Sequence, residues 1–131
     1  MALLDDVGVY LAAQGVGTQG TDIFIGKMPD TPDTCIGLFE YGGQEGDYTM
    51  GATVSARMER PNFQAVVRAA GYSAARTKVQ SVYTTLDAVA EQDLSSKRYH
   101  RISAKAPPIY LGRDKSNRPQ FSCNFGVIKD V

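Results

Sequence analysis

The stretch from Tyr72 to Gln92 constrains this chain most, because Ala75, Val79, Val82, Leu86 and Val89 step along it by four, three, four and three residues. On an α-helix those steps place all five side chains on one stripe, while Arg76, Lys78, Gln80 and Asp87 fall elsewhere. Such a stripe must lie against an apolar surface, and the rest of the chain supplies strands. Phe121, Cys123, Phe125 and Val127 alternate with Gln120, Ser122, Asn124 and Gly126, and Phe63, Ala65, Val67 and Ala69 alternate in the same way. Shorter strands are predicted over residues 21–25, 35–41, 99–104 and 109–112. Pro61 marks the start of the 62–69 strand, whose simplest partner is 35–41. Leu3, Leu4, Val7 and Leu11 recur at helical spacing, with Asp5 and Asp6 in the first turn and Gly15 as a stop, which predicts a first helix over 3–14. The order is α-β-β-β-α-β-β-β. One mixed, mainly antiparallel sheet with two helices on one face is the economical α+β arrangement.

The whole chain, residues 1–131, reads as a single domain, since its 43% hydrophobic content closes one modest core. Within it, residues 42–53 carry glycines at 42, 43, 46 and 51 and almost no aliphatic side chains, so they read as a flexible loop. The net charge of zero removes the global attraction on which most non-specific binding to nucleic acid or membranes relies. The charge is unevenly distributed, however. Through Met50, eight acids face the single base Lys27; from Gly51 onward thirteen bases face six acids. If the halves occupy different surfaces, one edge is acidic and another basic, which suits head-to-tail contact between copies. If the fold interleaves them, no polarity results.

Cys35 and Cys123 lie in apolar strand-like stretches and read as buried free thiols, in keeping with a reducing, cytoplasmic setting. No apolar run approaches the length of a membrane span, and the N-terminus lacks the pattern of an export signal.

Gly15-Val16-Gly17-Thr18-Gln19-Gly20 matches a dinucleotide fingerprint by letter, and Glu40 lies twenty residues beyond its end. The context is reversed, because that site needs a strand before the glycines and a helix after them. The stretch therefore reads as a helix stop and a turn, with no cofactor. His100 stands between Arg98 and Arg101, cations that would lower its pKa, and reads as a rim residue. One histidine and two distant cysteines make no zinc set. Asp30 and Asp33 read as turn-capping carboxylates. Arg113, Lys115 and Arg118 form a basic hairpin tip, suited either to phosphate contact or to guarding a sheet edge. No catalytic set emerges.

Several stretches in order resemble the bacteriophage minor capsid or tail-terminator family of long-tailed phages: Leu11 to Gly17, Ile25-Gly26-Lys27-Met28-Pro29-Asp30-Thr31-Pro32-Asp33, Glu40-Tyr41-Gly42-Gly43, Arg60-Pro61-Asn62-Phe63-Gln64, Leu111-Gly112-Arg113-Asp114, and Arg118-Pro119 running through Phe121 to Asn124-Phe125. The resemblance implies a structural protein that forms a six-fold ring on the head-proximal end of the tail tube. That ring ends tube growth and offers the surface that joins the head. The implied partners are further copies of itself, the tail tube protein and a head-completion or stopper protein, with DNA passing through the lumen without specific binding and no membrane involved. The implied location is the virion tail or neck, after assembly in the host cytoplasm. The family brings no catalytic residues, so contact residues are inferred from physics: Glu45, Asp47, Tyr48 and Met50 in the glycine-rich stretch, with Tyr48 and Met50 as apolar anchors, and Arg113, Lys115 and Arg118 in the hairpin. Another neck component, a small hydrolase using His100, and a nucleic-acid-binding module are the competing readings.

Overall fold

The computed structural model describes residues 3–47 and 58–130. In chain order they form α1 (Leu3–Ala13), β1 (Ile23–Ile25), β2 (Cys35–Asp47), β3 (Met58–Arg68), α2 (Tyr72–Asp87), β4 (Ala90–Leu94), β5 (Lys97–Ala104), β6 (Ile109–Arg113) and β7 (Pro119–Asp130). The class is α+β, as the periodicities predict. All seven strands join one sheet in the order β1-β2-β3-β7-β5-β4, with β6 attached to β7 as well. Only β1 and β2 run parallel. One side of β7 carries both β6, along residues 119–122, and β5, along residues 125–129.

Alternation along the strands separates two faces. Ile36, Leu38, Phe63, Ala65, Val67, Phe121, Cys123, Phe125 and Val127 point to one of them, and there they share a single apolar cluster with Leu3, Leu4, Val7 and Leu11 of α1 and with Ala75, Val79, Val82 and Leu86 of α2. Both helices therefore cover the same face. Phe63 and Phe125 stack at its centre, ring centroids 5.1 Å apart. Under α1, the buried Tyr99 hydroxyl donates to the Asp6 carboxylate at 2.7 Å. The opposite face presents Phe39, Tyr41, Gln64, Val66, Gln120, Ser122 and Asn124, and neither α1 nor α2 lies over it.

α1 stops where predicted. Gly15 takes φ +77, and the amides of Gly15 and Val16 return to the carbonyls of Ala12 and Leu11. The GVGTQG stretch thus follows a helix and precedes β1, the wrong order for a pyrophosphate site.

Two boundaries depart from the sequence reading. The 72–92 helix ends at Asp87, and residues 90–94 become an extra strand, so the order is α-β-β-β-α-β-β-β-β. Val89 is fully buried although it lies past the helix end, and Ile102 in β5 donates its amide to the Val89 carbonyl. A buried residue just beyond the helix extends an apolar spacing that periodicity alone does not distinguish from another turn.

The second departure concerns residues 42–53. Strand β2 runs on through Asp47, so Gly42 to Asp47 are ladder rather than loop; the remainder of the stretch lies outside the described residues. β3 also begins earlier, at Met58, and Pro61 lies within it. The β2–β3 register shifts between Tyr41 and Gln44, opposite Pro61, and a proline is tolerated at such an irregularity because no regular ladder bond is asked of it. A Cβ on Gly43 would meet the Arg60 carbonyl oxygen at 2.3 Å, so only glycine fits this approach. Backbone pairing, which side-chain hydrophobicity does not encode, holds the segment.

Candidate assembly surface

The turn at residues 28–33 is folded down onto the end of the uncovered face by two arginines. Arg68, in β3 and only 3% exposed, donates from Nε to the Asp33 carbonyl at 3.1 Å and from Nη2 to the carbonyls of Pro29 (2.6 Å) and Pro32 (2.7 Å). Arg118, immediately before β7, reaches Asp30 Oδ1 at 2.8 Å, Asp33 Oδ1 at 3.1 Å and Asp114 Oδ2 at 2.8 Å. Asp114 also accepts the backbone amides of Ser116 and Arg118, and the Arg118 amide leads the interactions that hold its carboxyl below the usual range. Asp30 and Asp33 therefore pair with a guanidinium, where the sequence suggested turn caps. Arg118, expected from the sequence at an exposed hairpin tip, is instead buried, and its charge is engaged inside the subunit.

Arg113 and Lys115 remain exposed at the hairpin tip, Arg113 donating to the Asn117 carbonyl at 2.9 Å. Glu45 and Asp47 lie on the extension of β2, away from that hairpin in the chain; Tyr48 and Met50 lie outside the described residues.

What sequence reasoning missed is the strand leading into the hairpin. Ile109, Tyr110 and Leu111 are 46%, 46% and 51% exposed, and Tyr72 at the head of α2 is 50% exposed beside them. Tyr72 and Tyr110 meet edge to face at 5.6 Å, both rings touch Phe121, and Arg76 lies over the Phe121 ring at 5.8 Å. Four of the six large exposed hydrophobics among the described residues thus gather around β6. A signal was present: three consecutive apolar residues cannot all point to one side of a strand, so at least one had to face out. Exposed apolar clusters on an edge strand mark contact sites, since left bare they invite aggregation.

His100 differs from its sequence reading. Its Nε2 lies 2.8 Å from Asp130 Oδ1 and its Nδ1 3.2 Å from both Glu91 carboxylate oxygens. The Asp130 hydrogen bond, then that of Glu91, raises its pKa above the ordinary histidine value, the reverse of the effect expected from Arg98 and Arg101. Acids brought across the sheet outweigh cations adjacent in sequence. With a carboxylate at each ring nitrogen the geometry favours an imidazolium ion pair, and neither nitrogen is left to act as a base. A raised folded-state pKa stabilises the subunit below the unfolded value near 6.5, and that contribution is lost as pH rises through the folded value. His100→Ala is therefore expected to flatten the decline in thermal midpoint above about pH 6.5; an unchanged profile would assign the decline elsewhere.

Both cysteines are free and buried, and burial pushes the Cys123 thiol up to about 11. Among the described residues no group of three or more histidine, cysteine or carboxylate side chains is placed to hold a metal ion. Among the described residues no helix is long and apolar enough to cross a membrane.

A layered α+β subunit that leaves an apolar edge strand uncovered belongs to the class of proteins whose surfaces serve contact with other chains. The family comparison makes this specific: residues 10–131 match the family described as bacteriophage tail terminator protein, and the chain belongs to that family. It is a structural component of the phage tail. The fold is similar to that of a chain in the solved "Virion of native gene transfer agent (GTA) particle", with a TM-score of 0.68 and 19% identity over 99% of this chain and 96% of that one. No curated protein matches.

Proposed function

We propose that this chain closes into a ring of six copies on the head-proximal end of the tail tube, halts tube growth there, and presents the surface to which the head is joined. The observation that carries this reading is the family match over residues 10–131, and the exposed edge at β6 supplies a surface suited to subunit contact. No chemical step is needed. Many modest contacts repeated around a closed ring make assembly steep in concentration, so the ring forms where a tube end gathers the copies. The partners are the last tube ring on one side and a head-completion protein on the other, with DNA passing through the lumen and assembly taking place in the host cytoplasm. Glu45, Asp47, Tyr48 and Met50, together with Arg113 and Lys115, contribute to the contacts between copies or to the tube.

Electron microscopy of tails made with and without this protein tests the reading. The expected result is a ring capping tubes of uniform length when it is present, and overlong, uncapped tubes when it is absent. Tubes of unchanged length that merely fail to join heads would identify a different neck component.

A further inference from the structure

The registers along the sheet place two end strands, β1 and β6, at the same level. Ile23 pairs with Ile36, Ile36 with Val67, Val67 with Phe121 and Phe121 with Tyr110; in the next row Phe24 leads through Gly37, Val66 and Ser122 to Ile109. β1-β2-β3-β7-β6 therefore form one five-stranded band, with β1 at one end and β6 at the other.

The β6 end exposes Ile109, Tyr110 and Leu111, while at the β1 end Ile23 is fully buried and Phe24 and Ile25 are half-buried. Tyr110 shares its row and face with Ile23, and Ile109 shares its row and face with Phe24. At the β6 end the side chains stand out from the surface. At the β1 end a shallow pocket of about 300 Å³ is lined by Gln19, Gly20, Ile23, Phe24, Ile25 and Lys27. One end projects and the other receives. The backbone of Ile23 is already engaged, since its amide donates to Thr18 and its carbonyl accepts from Gly20, so a strand docking here would find Ile25 but not Ile23 open to it. Side-chain insertion rather than a long ladder is the main contact.

We propose that copies of this chain join head to tail, β6 of one seated on the β1 edge of the next, so that the five-stranded bands continue around the ring. This rests on the ring reading above and names the surfaces that close it. Two different surfaces in contact make a heterologous interface, the kind that generates rings, whereas β6 against β6 would stop at a dimer. Strand directions agree as well: β1, β2 and β7 run the same way and β6 the opposite way, so rotation about an axis along the strands sets β6 antiparallel to the neighbour's β1. Six such bands give about thirty strands and, at the usual strand spacing, a wall roughly 140 Å around and roughly 45 Å across, wider if the strands tilt. Helices then lie on one side of that wall and the uncovered face on the other.

The test is cross-linking in assembled tails carrying Phe24→Cys and Ile109→Cys together, the pair that shares a row and a face, using a short bis-maleimide. The native Cys35 and Cys123 are fully buried, so the introduced thiols dominate the reaction. The expected result is a ladder of cross-linked species that rises to the full ring, with neither single variant giving one. Capped tails with no ladder would overturn the pairing while leaving the ring intact. Dimers from Ile109→Cys alone would show two β6 edges meeting. A ladder from Ile109→Cys combined with Val9→Cys, at an exposed position of α1, would move the receiving surface there. Tails without any terminal ring would remove the ring reading, and this inference with it.

Discussion

Arg68→Ala is expected to destabilise the isolated subunit by about 3 kcal/mol, roughly a 150-fold shift of the folding equilibrium, read as the midpoint of denaturant unfolding. Arg68 is fully enclosed in effect, and its guanidinium holds three backbone carbonyls of the 28–33 turn. A hydrogen bond from a charged donor contributes about 1.5–3 kcal/mol, and three bonds to one segment do not add independently, hence a figure near the value of one or two. Arg118 grips the same turn, but Asp30 and Asp33 expose 86% and 63% of their side chains, so water and salt weaken those pairs and the smaller loss is expected from Arg118→Ala. Release of the turn has its own readout, because exposed Lys27 immediately precedes it: Arg68→Ala should speed tryptic cleavage after Lys27. A midpoint change below 1 kcal/mol, without faster cleavage, would mean that Arg118 alone holds the turn.

The largest functional effect is expected from Ile109→Asp combined with Leu111→Asp. Both side chains are about half exposed on an edge strand, and surface substitutions usually alter stability by no more than about 0.5 kcal/mol each, so the subunit should remain folded. In an assembly the same carboxylates would be buried against apolar side chains without partners, a cost large enough to abolish the contact. Tails made with this variant should end without a ring and vary in length, while the purified subunit unfolds at nearly its original temperature. Normal capping by the double variant would show that β6 faces solvent in the finished tail.

The contrast between these two predictions reflects what was legible in the residues. Core positions announced themselves, because Val79, Val82 and Leu86 on the helix, and Phe63 and Phe125 on the strands, follow the periods that local geometry imposes. The β6 cluster did not, since its four residues come from α2 and β6 and only the fold brings Tyr72 to Tyr110. Charge was still less legible. Arg118 reads as a free cation among hairpin residues, yet carboxylates 85 and 88 positions away neutralise it. The single Arg118 charge faces three carboxylates, Asp30, Asp33 and Asp114, so it offsets only part of the acid excess of the first half. His100 repeats the lesson, its titration governed by Asp130, thirty residues distant, rather than by Arg98 and Arg101.

Sequence alone determined the layering of this protein: two amphipathic helices against one face of a sheet, and a glycine stop after the first helix, with a strand rather than a second helix following the glycine stretch. These follow from interactions between near neighbours, where the period of a helix or strand converts residue order directly into direction. Only the tertiary structure decided which charges stay inside the subunit, where β2 ends, and which apolar edge remains uncovered. Those outcomes depend on which distant strands become neighbours, and hydrogen-bond pairing and ion pairing act across that distance in space regardless of separation along the chain.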